Sequence, residues 1–287
     1  MSAAQNETEF RIAARDGFSL AATLRGPASG EPRATVLIAS ATAVPRGYYS
    51  KFAAYLAERG FAALTFDYRG VGGSRPASLR GFQARMRDWA ALDLTAAVDY
   101  AAALHPGRPL LYVGHSFGGQ ALGLLPNNTR VARALLVAAQ IGYWRLFPFP
   151  ENYRIFVLMR VIATPVAHAF GYMPGRFGIG VDLPREVFLE WMGWCMRPRY
   201  LFDDPTLDTL KNYPNYRGAL RAIGLADDKW APPVAVAGLL AGYNGTSPEH
   251  LTVHPRDIGV DKIGHFGFFR SEHRETLWRE AADWLAA

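Results

Sequence analysis

The sequence predicts an α/β protein, a mostly parallel β-sheet covered by helices on both faces and carrying one inserted segment. Three observations predict it. Short β-rich runs alternate with longer runs of helical periodicity over most of the 287 residues. A glycine-flanked serine stands where one apolar run gives way to a helix, in "YVGHSFGGQA". The alternation breaks once, between Ile141 and Tyr216, and then resumes.

Taken in order, "EFRIAARDGFSLAATLRG" reads as two strands joined at Asp16-Gly17, a pair that favours a tight hairpin. "TVLIAS" is a buried strand, and "YYSKFAAYLAERG" an amphipathic helix stopped by Gly60. The strand "FAALTFDY", the helix "RDWAALDLTAAVDYAAAL" and the strand "PLLYVGH" follow, then a helix from about Phe117 and the strand "ARALLVAAQ". Beyond the break come the strand "GALRAIGL", the helix "PPVAVAGLLAGY", the strand "HLTVHP" and a closing helix "EHRETLWREAADWLAA". Strands separated by helices imply parallel pairing with both faces covered. Residues 1–140 and 217–287 are therefore assigned to one core, and 141–216 to a cap inserted on it.

Half of the residues are hydrophobic, enough for one sizeable core. The net charge of +6 comes from cations scattered among acids, so no basic cluster points to nucleic acid. The start, "MSAAQNETEF", has no basic segment leading into an apolar one and so does not resemble a secretory signal. Cys195 is the sole cysteine and forms no internal disulfide. "YRIFVLMRVIATPVAHAF" is the most apolar segment, but Arg160, Pro165 and His168 interrupt it as a membrane span. A cytoplasmic protein acting on a small molecule is expected. Oligomeric state stays open, a homodimer included.

The serine motif has a mechanical reading. A residue forced into a sharp strand-to-helix turn holds its side chain above the sheet edge, and its neighbours two before and two after must be nearly free of side chain. Gly114 and Gly118 supply that room and Gly119 adds more. Ser116 then presents its hydroxyl to a substrate, and the amide of Phe117 at the helix start faces a developing oxyanion. A glycine-rich turn can also contain a serine for no chemical reason; the strand-turn-helix context favours chemistry.

Serine needs a base, and the base a carboxylate. "DKIGHFGFFR" puts His265 in a glycine-flanked loop between the last strand and the last helix, and the chain order serine, acid, histidine selects it. His250, His254 and His273 read as ordinary strand or surface histidines, and His115 as a local packing or hydrogen-bonding group. "RAIGLADDKWAPP" supplies two acids. Asp227 is preferred because it lies closer to the strand's end, with Asp228 the alternative.

These residues carry a resemblance. The segments "ATAVPRGYYSKFAAYLAERGFAALTFDYRGVGGSRP", "GHSFGG", "GLADDKWAP" and "GHFGFFR" are similar to a bacterial group of predicted serine hydrolases with the α/β-hydrolase fold. The resemblance covers nearly the whole chain except the central segment. It implies a triad of Ser116, Asp227 or Asp228, and His265, with no metal or organic cofactor. It also implies a second oxyanion amide from the loop after "TVLIAS". There the chain has "SATAV" instead of the usual His-Gly, leaving Ala41 and Thr42 as alternatives. Asp67, Arg69, Gly70 and Ser74 in "FDYRGVGGSRP" are expected to form the turn and not to react. A serine, not an aspartate, at the elbow points to acyl transfer.

Residues 141–216 contain Trp144, Phe147, Phe149, Phe156, Phe170, Trp191, Trp194 and Tyr200. Singly each reads as core; together they are expected to roof an apolar pocket. Hydrolysis of a carboxylic ester of a small, largely apolar substrate is the leading expectation. A thioesterase, amidase or acyltransferase on the same triad is the alternative, beside a non-catalytic ligand receptor and an interaction module.

Overall fold

The chain runs through an eight-stranded sheet whose spatial order is β1-β2-β4-β3-β5-β6-β9-β10. The computed structural model describes residues 6–177 and 180–287. The expectation about a signal segment thus falls partly on residues 1–5, outside the described residues. Two antiparallel strands, β1 (Asn6–Ala13) and β2 (Ser19–Gly26), form one edge. Gly17, at φ +84°, makes the turn between them. β2 pairs antiparallel with β4 (Ala62–Phe66), and everything beyond is parallel. The parallel strands are β3 (Thr35–Ala39), β4, β5 (Leu110–His115), β6 (Val131–Val137), β9 (Ala219–Leu225) and β10 (Glu249–Val253). Every residue of β3, β4 and β5 is buried, as expected of strands covered on both faces.

The helices between strands are α1 (Ser50–Glu58), α2 (Thr95–Leu104) and α3 (Phe117–Ala121), with α2 entered through a π-helical turn at Trp89–Leu94. Phe52, Tyr55, Phe268 and Trp278 stack edge to face between α1 and the C-terminal helical region, joining chain segments more than 200 residues apart. Asp67, after β4, accepts the backbone N–H groups of Arg46 (2.7 Å) and Gly73 (2.8 Å), and Ser74 Oγ donates to its carbonyl. Arg69 is held between Asp93 (2.8 Å) and Asp16 (2.7 and 2.9 Å). That loop is knitted by its own polar groups, the structural role its residue types suggested.

Between adjacent strands β6 and β9 the chain makes its long excursion. It forms α4 (Glu151–Phe170), a two-residue hairpin β7 (Tyr172–Met173) with β8 (Leu183–Pro184), and α5 (Arg185–Cys195). Pro165 does not break α4. The segment Val157–Ala163 widens to a π-helix just before it, and Thr164 Oγ1 donates to the Met159 carbonyl (2.8 Å). The residues after α5 behave differently: Tyr200 and Tyr213 turn back into the main core beside α3. Helices α6 (Pro233–Leu240) and α7 (Arg279–Ala286) complete the layers.

Candidate active site

Ser116 sits at the carboxyl end of central strand β5, with φ +51° and ψ −112°. This conformation costs a non-glycine residue roughly 1–3 kcal/mol and has to be enforced by its surroundings. Close backbone approach enforces it. A methyl group on Gly114 would lie 2.6 Å from Gly119 N, one on Gly118 2.2 Å from the Ala39 carbonyl oxygen, and one on Gly119 2.4 Å from Ala139 Cβ. None of the three can carry a side chain. As the first residue of α3, Phe117 lacks a carbonyl one turn back for its N–H to bond.

Three buried tyrosines brace the elbow, a feature the sequence reading did not anticipate. The carbonyls of helix α3 accept hydrogen bonds from outside it: Tyr112 donates to Gly118 (2.5 Å), Tyr243 to Gly119 (3.1 Å) and Tyr213 to Gln120 (2.6 Å). These tyrosines lie in three separate segments, and nothing in their local pattern distinguishes them from ordinary core aromatics.

His265 occupies a short helical turn, Gly264–Gly267, after β10. Its Nε2 is 3.0 Å from Ser116 Oγ and its Nδ1 is 2.6 Å from Asp228 Oδ2. A carboxylate can only accept from Nδ1, so Nε2 is the unprotonated nitrogen that accepts the serine proton. The preference for Asp227 is therefore corrected: Asp228 holds the imidazole. A turn after β9, closed by Asp228 N–H to the Leu225 carbonyl (2.9 Å), carries Asp228 to the ring. Asp227 instead accepts the backbone N–H groups of Ile263 (2.8 Å) and Gly264 (3.0 Å), fixing the loop that carries His265. Gly264 takes φ +65° there. Trp230 donates its backbone N–H to Asp228 Oδ1 (2.9 Å), and its ring lies 5.3 Å from that of His265.

His115 reaches further than local packing. Its Nε2 donates to the His265 carbonyl (2.9 Å), so its Nδ1 is the acceptor and takes the Tyr49 hydroxyl proton (2.8 Å). Full burial, followed by the nearby His265 charge, pushes the pKa of His115 down to about 3 and keeps it neutral. Tyr49 Oη in turn accepts the Ala41 N–H (2.9 Å). That bond separates the two alternatives in the loop after β3: the amide of Ala41 is occupied, whereas among the described residues no protein acceptor takes the amide of Thr42.

Ser116 and His265 open on a cavity of about 350 Å3. Its walls are mainly apolar: Phe147, Ile155, Leu158, Met159 and Trp191 from the inserted segment line it. Gln120 and Gln140 are among the polar residues lining it. Of the other aromatics in the insertion, Trp194 and Tyr200 are core, while Phe149 faces outward. Cys195 also lines the cavity, but burial raises its thiol pKa and holds it protonated.

Residues 30–172, just under half of the chain, match the family described as serine aminopeptidase, S33. That stretch contains Ser116 but neither Asp228 nor His265. No curated protein matches by sequence. Among solved structures, the chain is similar to a monoglyceride lipase from Saccharomyces cerevisiae, a soluble variant in complex with a substrate analogue: TM-score 0.71, 14% identity, 99% of this chain and 97% of that one covered. An esterase from Exiguobacterium antarcticum gives 0.62 at 16% identity, covering 98% and 100%. The esterase domain of a Rhodothermus marinus protein gives 0.61 at 17%, covering 98% of each. At such identities the likeness establishes architecture. The chain has the α/β-hydrolase fold, with a serine at the elbow position of that fold.

Proposed function

We propose that the protein is a serine hydrolase that cleaves a carboxylic ester of a small, largely apolar substrate. The observation that carries this reading is the continuous chain Ser116–His265–Asp228 at the mouth of an apolar cavity. In the proposed reaction, Ser116 Oγ attacks the ester carbonyl while His265 Nε2 takes its proton. Asp228 holds Nδ1–H and stabilises the imidazolium. The amides of Phe117 and Thr42 receive the oxyanion, Ala41 being engaged elsewhere. His265 then protonates the departing alcohol, and water, activated by the same nitrogen, releases the acid and restores Ser116. Residues 141–216 act as the cap, with the portion up to Cys195 supplying the pocket wall. A cytoplasmic setting belongs to the same proposal. The structural relatives, two esterases and a lipase, favour ester over amide cleavage; the serine aminopeptidase match keeps amides in the test.

A fluorophosphonate probe should label the protein once, and Ser116→Ala should abolish labelling with the melting temperature nearly unchanged. Labelling that survives in the variant removes Ser116 from its role. Product analysis on matched ester, thioester and amide substrates, with and without an acceptor alcohol, separates hydrolysis of each class from acyl transfer.

A further inference from the structure

The polar floor of the cavity has a determinate orientation. The Gln140 carbonyl can only accept, so Gln120 must turn its amide nitrogen towards it, at 2.8 Å. Gln120 Oε1 then accepts the Tyr200 hydroxyl (3.1 Å), and Gln120 Nε2 also faces Gln140 Oε1 at 3.4 Å. Each amide orients the next, and the sequence ends on the –NH2 of Gln140, which has no acceptor among the described residues. The side chain is buried and lines the same cavity as Ser116. Two residues earlier Ala138 adopts φ +51°, a strained conformation that re-aims the chain at the end of β6. That donor faces the cavity and is available to a molecule that enters it.

We propose that Gln140 Nε2 donates a hydrogen bond to the substrate, so that preferred esters carry an ether, carbonyl or hydroxyl oxygen along the chain that enters the cavity. This rests on the ester-hydrolase reading above. The test pairs p-nitrophenyl alkanoates, and separately acetates of primary alcohols, with analogues in which one methylene is replaced by oxygen at successive positions. The ratio of kcat/KM, oxygen analogue over alkyl parent, is compared between wild type and Gln140→Leu, with Gln140→Met as a second variant should the first not fold. Comparing that ratio between wild type and variant cancels the inductive effect of the oxygen on the ester. At the best position in one series the ratio should fall about tenfold in the variants, the loss expected for one hydrogen bond in a dry site. An unchanged ratio in both series overturns the assignment. Loss of all esterase activity in wild type would instead overturn the ester reading itself.

A separate observation concerns the outer face of α4. Phe149, just before the helix, and Tyr153, Val157 and Val161 recur at every fourth residue and are 80, 56, 44 and 56% exposed. Ile162 beside them is 45% exposed. The exposed Arg154 and Arg160 stand on α4 beside this row, and the exposed Arg145 packs over Trp144, whose ring meets Tyr153. Between residues 141 and 181 the sole acid is Glu151, which is engaged by Trp230 Nε1 (3.1 Å) and Arg154 (3.3 Å). The opposite face of α4, through Ile155, Leu158 and Met159, walls the cavity, so the helix has a place in the fold and does not leave it to span a bilayer. Two copies meeting face to face about a two-fold axis would set these arginines against one another. Anionic headgroups would neutralise them.

We infer that this face rests on an anionic lipid surface, with α4 lying in the plane of the interface. Wild-type protein should co-float with vesicles of phosphatidylcholine mixed with phosphatidylglycerol, float poorly with phosphatidylcholine alone, and be released by salt. The double variant Val157→Glu/Val161→Glu should lose more than about tenfold in vesicle affinity, with hydrolysis of soluble p-nitrophenyl acetate unchanged. Absence of flotation with either vesicle overturns the inference. So does a lipid-independent dimer that the same double substitution dissolves.

Discussion

A histidine that is to take a proton from Ser116 has to be held in one tautomer and one orientation, and two adjacent carboxylates act on different atoms of its loop. Asp228 meets the ring at 2.6 Å and Asp227 the backbone at 2.8 and 3.0 Å. Replacing Asp228 with Asn keeps the shape but turns a donor or an uncharged oxygen towards Nδ1, so turnover should fall on the order of 10⁴-fold with little change in melting temperature. Asp227→Asn leaves the ring's partner intact and weakens two hydrogen bonds to the loop; it should cost about 1–2 kcal/mol of stability and no more than about tenfold in turnover. Steady-state kinetics on both variants decide the matter, and the reverse ranking would return the ring's partner to Asp227. The sequence made both residues visible but ranked Asp227 first, and the structure reverses that order. Which of two neighbouring side chains points to a loop 37 positions away depends on the hydrogen bond that closes the Leu225–Asp228 turn. The serine was legible because glycines flank it at spacings that tight backbone approach requires, and the histidine because it stands in a glycine-flanked loop after the serine and the acids in chain order.

At the level of elements, the sheet strands and the helices between them were legible because periodicity and burial agree there: fully buried strands read as unbroken apolar runs. α4 was harder. Arg160, Pro165 and His168 interrupt its apolar run as a membrane span and no helix was assigned there, yet the π-helical turn before the proline lets one helix continue from Glu151 to Phe170. The elbow helix posed another difficulty, since the tyrosines that donate to its carbonyls come from distant segments. Tyr112→Phe, Tyr213→Phe and Tyr243→Phe each remove one side-chain donor from a buried carbonyl. Each should destabilise the protein by about 1–3 kcal/mol in urea unfolding. Values near zero for all three would mean that the helix satisfies those carbonyls without them.

Across the whole molecule, His115 joins parts of the chain that sequence pattern cannot connect: the Ala41 loop through Tyr49, the elbow strand on which it stands, and the His265 turn. The same contacts give the fold a specific acid sensitivity. In the unfolded chain His115 titrates near its ordinary value of 6.5, whereas burial lowers it to about 3 in the folded protein, so the unfolded state binds the proton first. Its contribution is fully present above pH 6.5 and is lost progressively as pH falls from there towards 3, by about 1.4 kcal/mol per pH unit. Burial also lowers His250 and His273, which add losses of the same sign. Carboxylates with depressed values, such as Asp16 and Asp204, withdraw stability only below their ordinary value of 3.8, whereas Asp93, raised to about 6 by burial, gains stability for the fold as pH falls from 6 towards 4 and opposes the histidines, so His115 is isolated by comparison with a variant. His115→Gln removes the titrating group while keeping a side chain able to reach the Tyr49 hydroxyl. It should be less stable than wild type at pH 7.5, yet lose about 3 kcal/mol less than wild type on going from pH 7.5 to pH 4.5, measured by denaturant unfolding at each pH. Parallel losses in the two proteins would show that His115 is not the group held neutral by the fold.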